Sequence, residues 1–180
     1  MQAPAEEVCP MSGGDMAASA AARRRLTARE LAIWRSLLDT TAALRKVLGA
    51  QLQVSGLSPA DYQVLLALRE AEGQRLRSSE LASTIDWERS RLSHHLARME
   101  RRGLIHRGDC ASDSRGAEVS LTESGAAAFR RASAPHLRAI KQQFVDALTL
   151  EQLEALADVL QSLQRHLQGE ANTSRTGGAH

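Results

Sequence analysis

The sequence predicts a mainly α-helical protein with one small β-element of two or three strands. Three observations carry that expectation. Apolar residues recur at helical spacing over most of the 180-residue chain, beginning with Leu31, Trp34, Leu38, Leu44, Leu48 and Leu52. The period changes only between about 104 and 122, where "LIHRGD" and "AEVSLT" flank the polar stretch "CASDSRG", as two strands joined by an extended turn would. Helix-start signals then recur in order along the chain.

Each element has its own signal. Thr27 followed by Glu30 is a capping box and opens a long helix over about 27–54. Ser58 can cap a second helix with Pro59 at its first position, and Gly73 ends that segment. "SSELASTI" is a short third helix. Asp86 can cap a fourth, from about Trp87 to Arg102, closed by Gly103. After the two strands, Thr122 caps a fifth helix reaching about Asp146, which Pro135 should kink or break in two. Thr149 and Gln152 open a sixth helix, striped by Leu153, Leu156, Leu160, Leu163 and Leu167. Residues 1–25 and 169–180, rich in small and polar types, read as flexible tails, so 26–168 is expected to be a single domain.

Composition narrows the function classes. The chain has 23 basic and 21 acidic residues, so its net charge of +2 identifies no partner. Two cysteines, Cys9 and Cys110, cannot form a disulfide framework and fit a reducing cytoplasm. The six histidines show no ligand cluster, and neither a metal nor another cofactor is expected. No apolar run approaches the roughly 18 residues of a membrane span, and the N-terminus lacks the apolar core of an export signal. There is no Gly-rich phosphate loop or nucleophile elbow, which argues against an enzyme.

Charge is concentrated locally. Between Arg89 and Arg107, six arginines stand against one acid, Glu100, a local charge of plus five. On the fourth helix Leu92, Leu96 and Met99 form the buried stripe, with His95 beside it as a partly buried packing residue. Arg89, Ser90, Arg91, Ser93, His94 and Arg98 are then the candidate DNA-binding residues of a recognition helix, with double-stranded DNA the expected partner, and a solvated basic face is the other reading the helix alone leaves open. Arginine suits guanine because its planar fork donates two parallel hydrogen bonds to O6 and N7. A short helix, a tight turn and a donor-rich helix make helix-turn-helix geometry, and two strands following at once make it winged.

At this point the sequence resembles a known family. "DSRGAEVSLTESG" is similar to the wing signature of the MarR (multiple antibiotic resistance regulator) family, with Asp113, Arg115, Leu121, Thr122 and Gly125 in its fixed positions. "ELASTI", "SRLSHHLARMERRGLI" and "LTLEQL" resemble the family's third, fourth and sixth helices, so the match covers about 27–167. The resemblance implies a winged helix-turn-helix over about 57–125 plus a helical dimerisation region, about 27–54 and 123–167, hence a homodimer. It implies that Arg115 reaches the minor groove or its phosphates while Asp113 supports the wing. It also implies a pocket for a small-molecule effector, an aromatic acid or phenol, which Trp34, Leu38, Tyr62 and Leu66 could line. The function expected is a homodimeric repressor that binds a palindromic operator and is released by such a ligand. Two alternatives stay open: a winged helix used for protein contacts, and a redox-responsive regulator using Cys110.

Overall fold

A computed structural model describes residues 25–109 and 117–176. The chain divides into two compact units, 1–42 and 43–180, with the boundary inside the first helix and inside the 26–168 span read as one domain. Of the first unit, the described part is the opening of helix α1 (Ala28–Val54). Its predicted capping box is formed: the Thr27 backbone N–H donates to Glu30 Oε2 at 2.8 Å, and the Glu30 N–H donates to Thr27 Oγ1 at 3.2 Å.

The second unit holds the remaining elements. These are α2 (Pro59–Glu70), β1 (Arg75–Arg77), α3 (Ser78–Thr84), α4 (Arg89–Arg101), β2 (Ile105–Asp109), β3 (Ala117–Leu121), α5 (Glu123–Ile140) and α6 (Leu150–Thr176). One core joins α2, α3, α4 and the sheet. Val64, Leu65 and Leu68 of α2, Leu81 of α3 and Leu92, Leu96 and Met99 of α4 are all at most 1% exposed. Truncating such a residue to Ala costs about 2–5 kcal/mol.

The sheet has three antiparallel strands in the order β1-β3-β2. β3 is central, pairing Leu76 with Val119 on one side and Arg107 with Val119 on the other. β1 is the strand that local periodicity did not place, because three residues are too few to set a period. It follows a turn in which Gly73 and Gln74 both take positive φ, 64° and 57°. There the chain reverses to lay Arg75–Arg77 along β3.

Three turns share one geometry. Leu57 donates to Leu52 O and Gly56 to Gln53 O; Leu104 donates to Met99 O and Gly103 to Glu100 O. Both are Schellman closures with a left-handed glycine after the helix, Gly56 at φ 78° and Gly103 at φ 69°. The third closes α3, where Trp87 donates to Ala82 O and Asp86 to Ser83 O, with Asp86 at φ 53°. Asp86 therefore terminates α3 and does not cap α4. Aspartate tolerates the left-handed region better than most residues, which lets it take this place. The N-cap of α4 is Glu88, which makes no side-chain capping bond, and Trp87 lies before the helix.

Pro135 does not break the fifth helix, which runs through it to Ile140. The irregularity comes later, as a π-helical turn at Lys141–Val145 in which Asp146 donates to Lys141 O, and Lys141 Nζ pairs with the Asp146 carboxylate. α6 opens with its predicted Thr149–Gln152 capping box and continues to Thr176, past the expected limit of 168. Among the described residues no helix is long and apolar enough to cross a membrane.

Candidate nucleic-acid interface

The wing signature has a mechanical reason that the structure makes visible. Thr122 Oγ1 accepts from the Gly125 N–H at 2.9 Å, capping α5, and donates to Gly103 O at 2.7 Å, the residue that closes α4. A Cβ on Gly125 would stand 1.9 Å from Leu104 O. The Thr-x-x-Gly spacing thus lets the start of α5 dock against the end of α4, fixing that helix against the strands that follow. The tip itself, with Cys110, Asp113 and Arg115, lies outside the described residues.

α4 divides cleanly into two faces. Leu92, His95, Leu96 and Met99 are buried, while Arg89, Ser90, Arg91, Ser93 and His94 are exposed and Arg98 is exposed beside them. Arg89 and Ser93 also border a cleft of about 270 Å³ with Ser78 and Ser79 of α3, Arg107 of β2 and Ala117 of β3.

The six arginines are not equivalent. Arg102 places Nη1 2.7 Å from Asp61 Oδ2 and donates through Nη2 to Gly56 O at 2.7 Å. Arg107 Nε donates to Glu100 Oε2 at 2.7 Å, and its N–H to Glu100 Oε1 at 2.9 Å, which holds the Glu100 carboxyl below its ordinary range. These two brace the fold. Arg91 stacks on the Trp87 ring, 4.2 Å from its centroid. Arg98 Nη2 lies 2.9 Å from His95 Nδ1. Arg101 reaches back to Ala97 O, and Arg89 is exposed at the start of the helix.

His95 is more than a packing residue. Its Nε2 lies 3.1 Å from Asp61 Oδ1, and its ring meets Trp87 edge-on at 5.4 Å. Because Arg98 can only donate, Nδ1 must accept, and we assign the proton of a neutral ring to Nε2, facing Asp61. Burial pushes the His95 pKa below its ordinary value, and Arg98 adds to this, while Asp61 opposes both. Burial pushes Asp61 up, but the Ser58 N–H, the Arg102 guanidinium and the Ser58 hydroxyl together hold it below its ordinary value. Asp61, Trp87 and Arg102 were not singled out from sequence. For Asp61 the signal was available, since Ser58-Pro-Ala-Asp61 has capping-box spacing and both reciprocal bonds form, at 2.9 and 3.1 Å.

The residues expected to line an effector pocket fall in both units. Trp34 and Leu38 are 54% and 49% exposed. Tyr62 and Leu66 are half-buried on α2 against the core. Tyr62 stacks on Phe129 at 5.1 Å, lies 4.8 Å from the His136 ring, and its hydroxyl meets Ser133 Oγ at 3.4 Å. Among the described residues no cluster of His, Cys, Asp and Glu could hold a metal ion.

A three-stranded sheet behind a short helix, a tight turn and a donor-faced helix defines a winged helix-turn-helix protein of the DNA-binding class. The chain belongs to the MarR family of transcriptional regulators, which are not enzymes, and the MarR family model matches residues 55–116. An HTH-type transcriptional regulator of Bacillus anthracis is 30% identical over 134 residues, 74% of this chain and 88% of that protein. Two solved structures from Streptomyces coelicolor are similar over 81% of this chain. AbsC, a MarR family transcriptional regulator, is 38% identical with a TM-score of 0.75 and is covered over 99% of its length. Sco3205, a MarR family regulator solved in complex with DNA, is 39% identical with a TM-score of 0.74 and is covered over 91%.

Proposed function

We propose that the protein is a homodimeric repressor that inserts α4 into the major groove of a palindromic operator and is released by a small aromatic or phenolic ligand. The observation that carries the DNA part is the separation of α4 into a buried apolar face and an exposed row of donors. Arg89, Ser90, Arg91, Ser93, His94 and Arg98 are the base-reading and phosphate-positioning set. Arg115, supported by Asp113, is assigned to the minor groove, whose negative potential attracts arginine. The DNA complex of Sco3205 favours the same partner class for this chain.

Dimerisation is supported by apolar surface left exposed on long helices. Leu150, Val159, Leu160, Leu163 and Leu167 of α6 are 46–72% exposed, and Ile33, Trp34, Leu37 and Leu38 of α1 are 45–62% exposed. Large apolar surface of this kind marks an interaction site, and a second copy presenting the same face gives a two-fold dimer with two recognition helices. Repression and release by an aromatic ligand at Trp34, Leu38, Tyr62 and Leu66 rest on the family resemblance.

Selection of bound duplexes from a random-sequence pool with the purified protein tests the proposal. It predicts enrichment of an inverted repeat with half-site centres roughly 10 base pairs apart. A pool that stays random under selection would overturn it.

A further inference from the structure

Arg91 is held in a different way from the other arginines of the cluster. Arg102 and Arg107 commit N–H donors to carboxylates, Arg98 offers one to His95, and Arg101 turns back to its own helix. The Arg91 guanidinium instead lies with its carbon 4.2 Å from the centre of the Trp87 ring. A ring takes up the cation through its π-face and consumes no N–H. Among the described residues none of the five donors of the fork is taken up, and they lie along the guanidinium's edge, where a base would meet them.

Trp87 is itself fixed on three sides. Its backbone N–H closes the α3 turn on Ala82 O at 2.9 Å, which the left-handed Asp86 makes possible. Its ring packs against the core and meets the edge of buried His95 at 5.4 Å and 77°. His95 Nε2 lies 3.1 Å from Asp61 Oδ1. The indole therefore cannot follow Arg91; Arg91 must follow the indole. The pair also sits where readout happens, at the N-terminal end of the recognition helix, with Trp87 one turn before Arg91.

We propose that Trp87 is a positioning residue for operator recognition: it pre-orders the Arg91 fork for bidentate hydrogen bonding to one guanine in each half-site without contacting that base. The inference rests on the reading of α4 as the recognition helix. A free arginine would have to give up its rotamer freedom on binding and could settle on a phosphate as readily as on a base edge. A stacked one arrives already aligned, so the benefit appears as discrimination between base pairs more than as affinity for DNA in general.

The experiment uses the full chain and the operator selected by the parent protein, with a panel of its single base-pair variants. Arg91→Ala identifies the base pair at which discrimination is lost. Trp87→Leu, which keeps apolar packing but removes the ring, is expected to lose about tenfold or more of the preference at that same pair. Its melting temperature falls by the packing the ring supplied, so binding is read below that temperature, where its affinity for random duplex should stay near the parent's. Trp87→Phe, which keeps a π-face, should restore most of the preference, and Trp87→Leu added to Arg91→Ala should cost nothing further there. Parental discrimination in Trp87→Leu overturns the inference while leaving the recognition-helix reading intact. So does a uniform loss on every duplex, random and operator alike, the mark of a merely structural role. A parent protein that selects no operator at all defeats both.

Discussion

Arg102, the C-cap of α4, places its Nη1 2.7 Å from Oδ2 of Asp61, in the first turn of α2. Asp61 is only 2% exposed, so the pair ties α4 to α2 through a buried carboxylate. Part of the positive charge that stands out in the sequence therefore works inward. Replacing Arg102 with Ala takes one partner from that carboxylate and leaves it the Ser58 N–H and the His95 ring. The expected loss is about 1–3 kcal/mol, kept below the value for a fully buried pair because the Arg102 side chain is 46% exposed. Urea unfolding measures it, and the salt dependence of binding to random duplex should be unchanged.

Arg98 differs, because its guanidinium faces solvent and gives one N–H to His95. If it neutralises a phosphate, Arg98→Ala should lower the slope of log affinity against log salt by about one unit. His94→Ala should instead relax preference at particular operator positions, at about 1–3 kcal/mol. Titrations at several salt concentrations on matched and mismatched duplexes separate the two effects.

Gly125 has no room for a side chain. A Cβ would meet the Leu104 carbonyl oxygen at 1.9 Å, and that oxygen belongs to backbone, not to a side chain that could swing away. Gly125→Ala should destabilise the protein by at least about 1–3 kcal/mol, the usual range for overpacking. Thermal unfolding of the variant beside Gly103→Ala compares a steric cause with a purely conformational one, since nothing crowds Gly103 at its φ of 69°.

Acid should weaken the fold in two stages. His95 and His136 have pKa values lowered in the folded protein, both chiefly by burial, from an ordinary value of 6.5. Below 6.5 the unfolded chain takes up protons that these folded imidazoles refuse, so stability is fully present above that pH and declines as pH falls toward the folded pKa values. Asp61, also lowered, adds a second loss as pH falls below 3.8 and through its folded pKa. Urea midpoints between about pH 8 and pH 4 check the first stage, and His95→Gln together with His136→Gln should remove most of it.

How much of this was legible beforehand depended on the range of the signal. The capping boxes at Thr27 and Thr149 and the buried stripe Leu92, Leu96 and Met99 are local patterns, and they were read correctly. Asp86 was misplaced because aspartate suits both a helix N-cap and a left-handed turn, and only the bond from Trp87 to Ala82 O decides between them. β1 escaped local reading because its three residues become a strand only by pairing with β3, far along the chain. The same holds for His95: its neighbours on α4 were visible, but Asp61 reaches it from another helix. Which arginines face inward could not be read from charge counts at all.

The long exposed stripes call for a partner copy. Leu156→Asp combined with Leu160→Asp would put unpaired charge on the α6 face and should abolish both the dimer and specific binding. Sedimentation of the parent at micromolar concentration is expected to give a dimer, and the variant a monomer.

The central claim is that the donor face of α4 reads base edges in the major groove, and guanine N7 methylation interference tests it most directly. With dimethyl sulfate-treated operator, the account predicts that methylation at guanines in each half-site blocks binding, symmetrically about the centre, and that Arg91→Ala abolishes the interference at one of them. Binding that is indifferent to N7 methylation, with interference confined to adenine N3 in the minor groove, would contradict it.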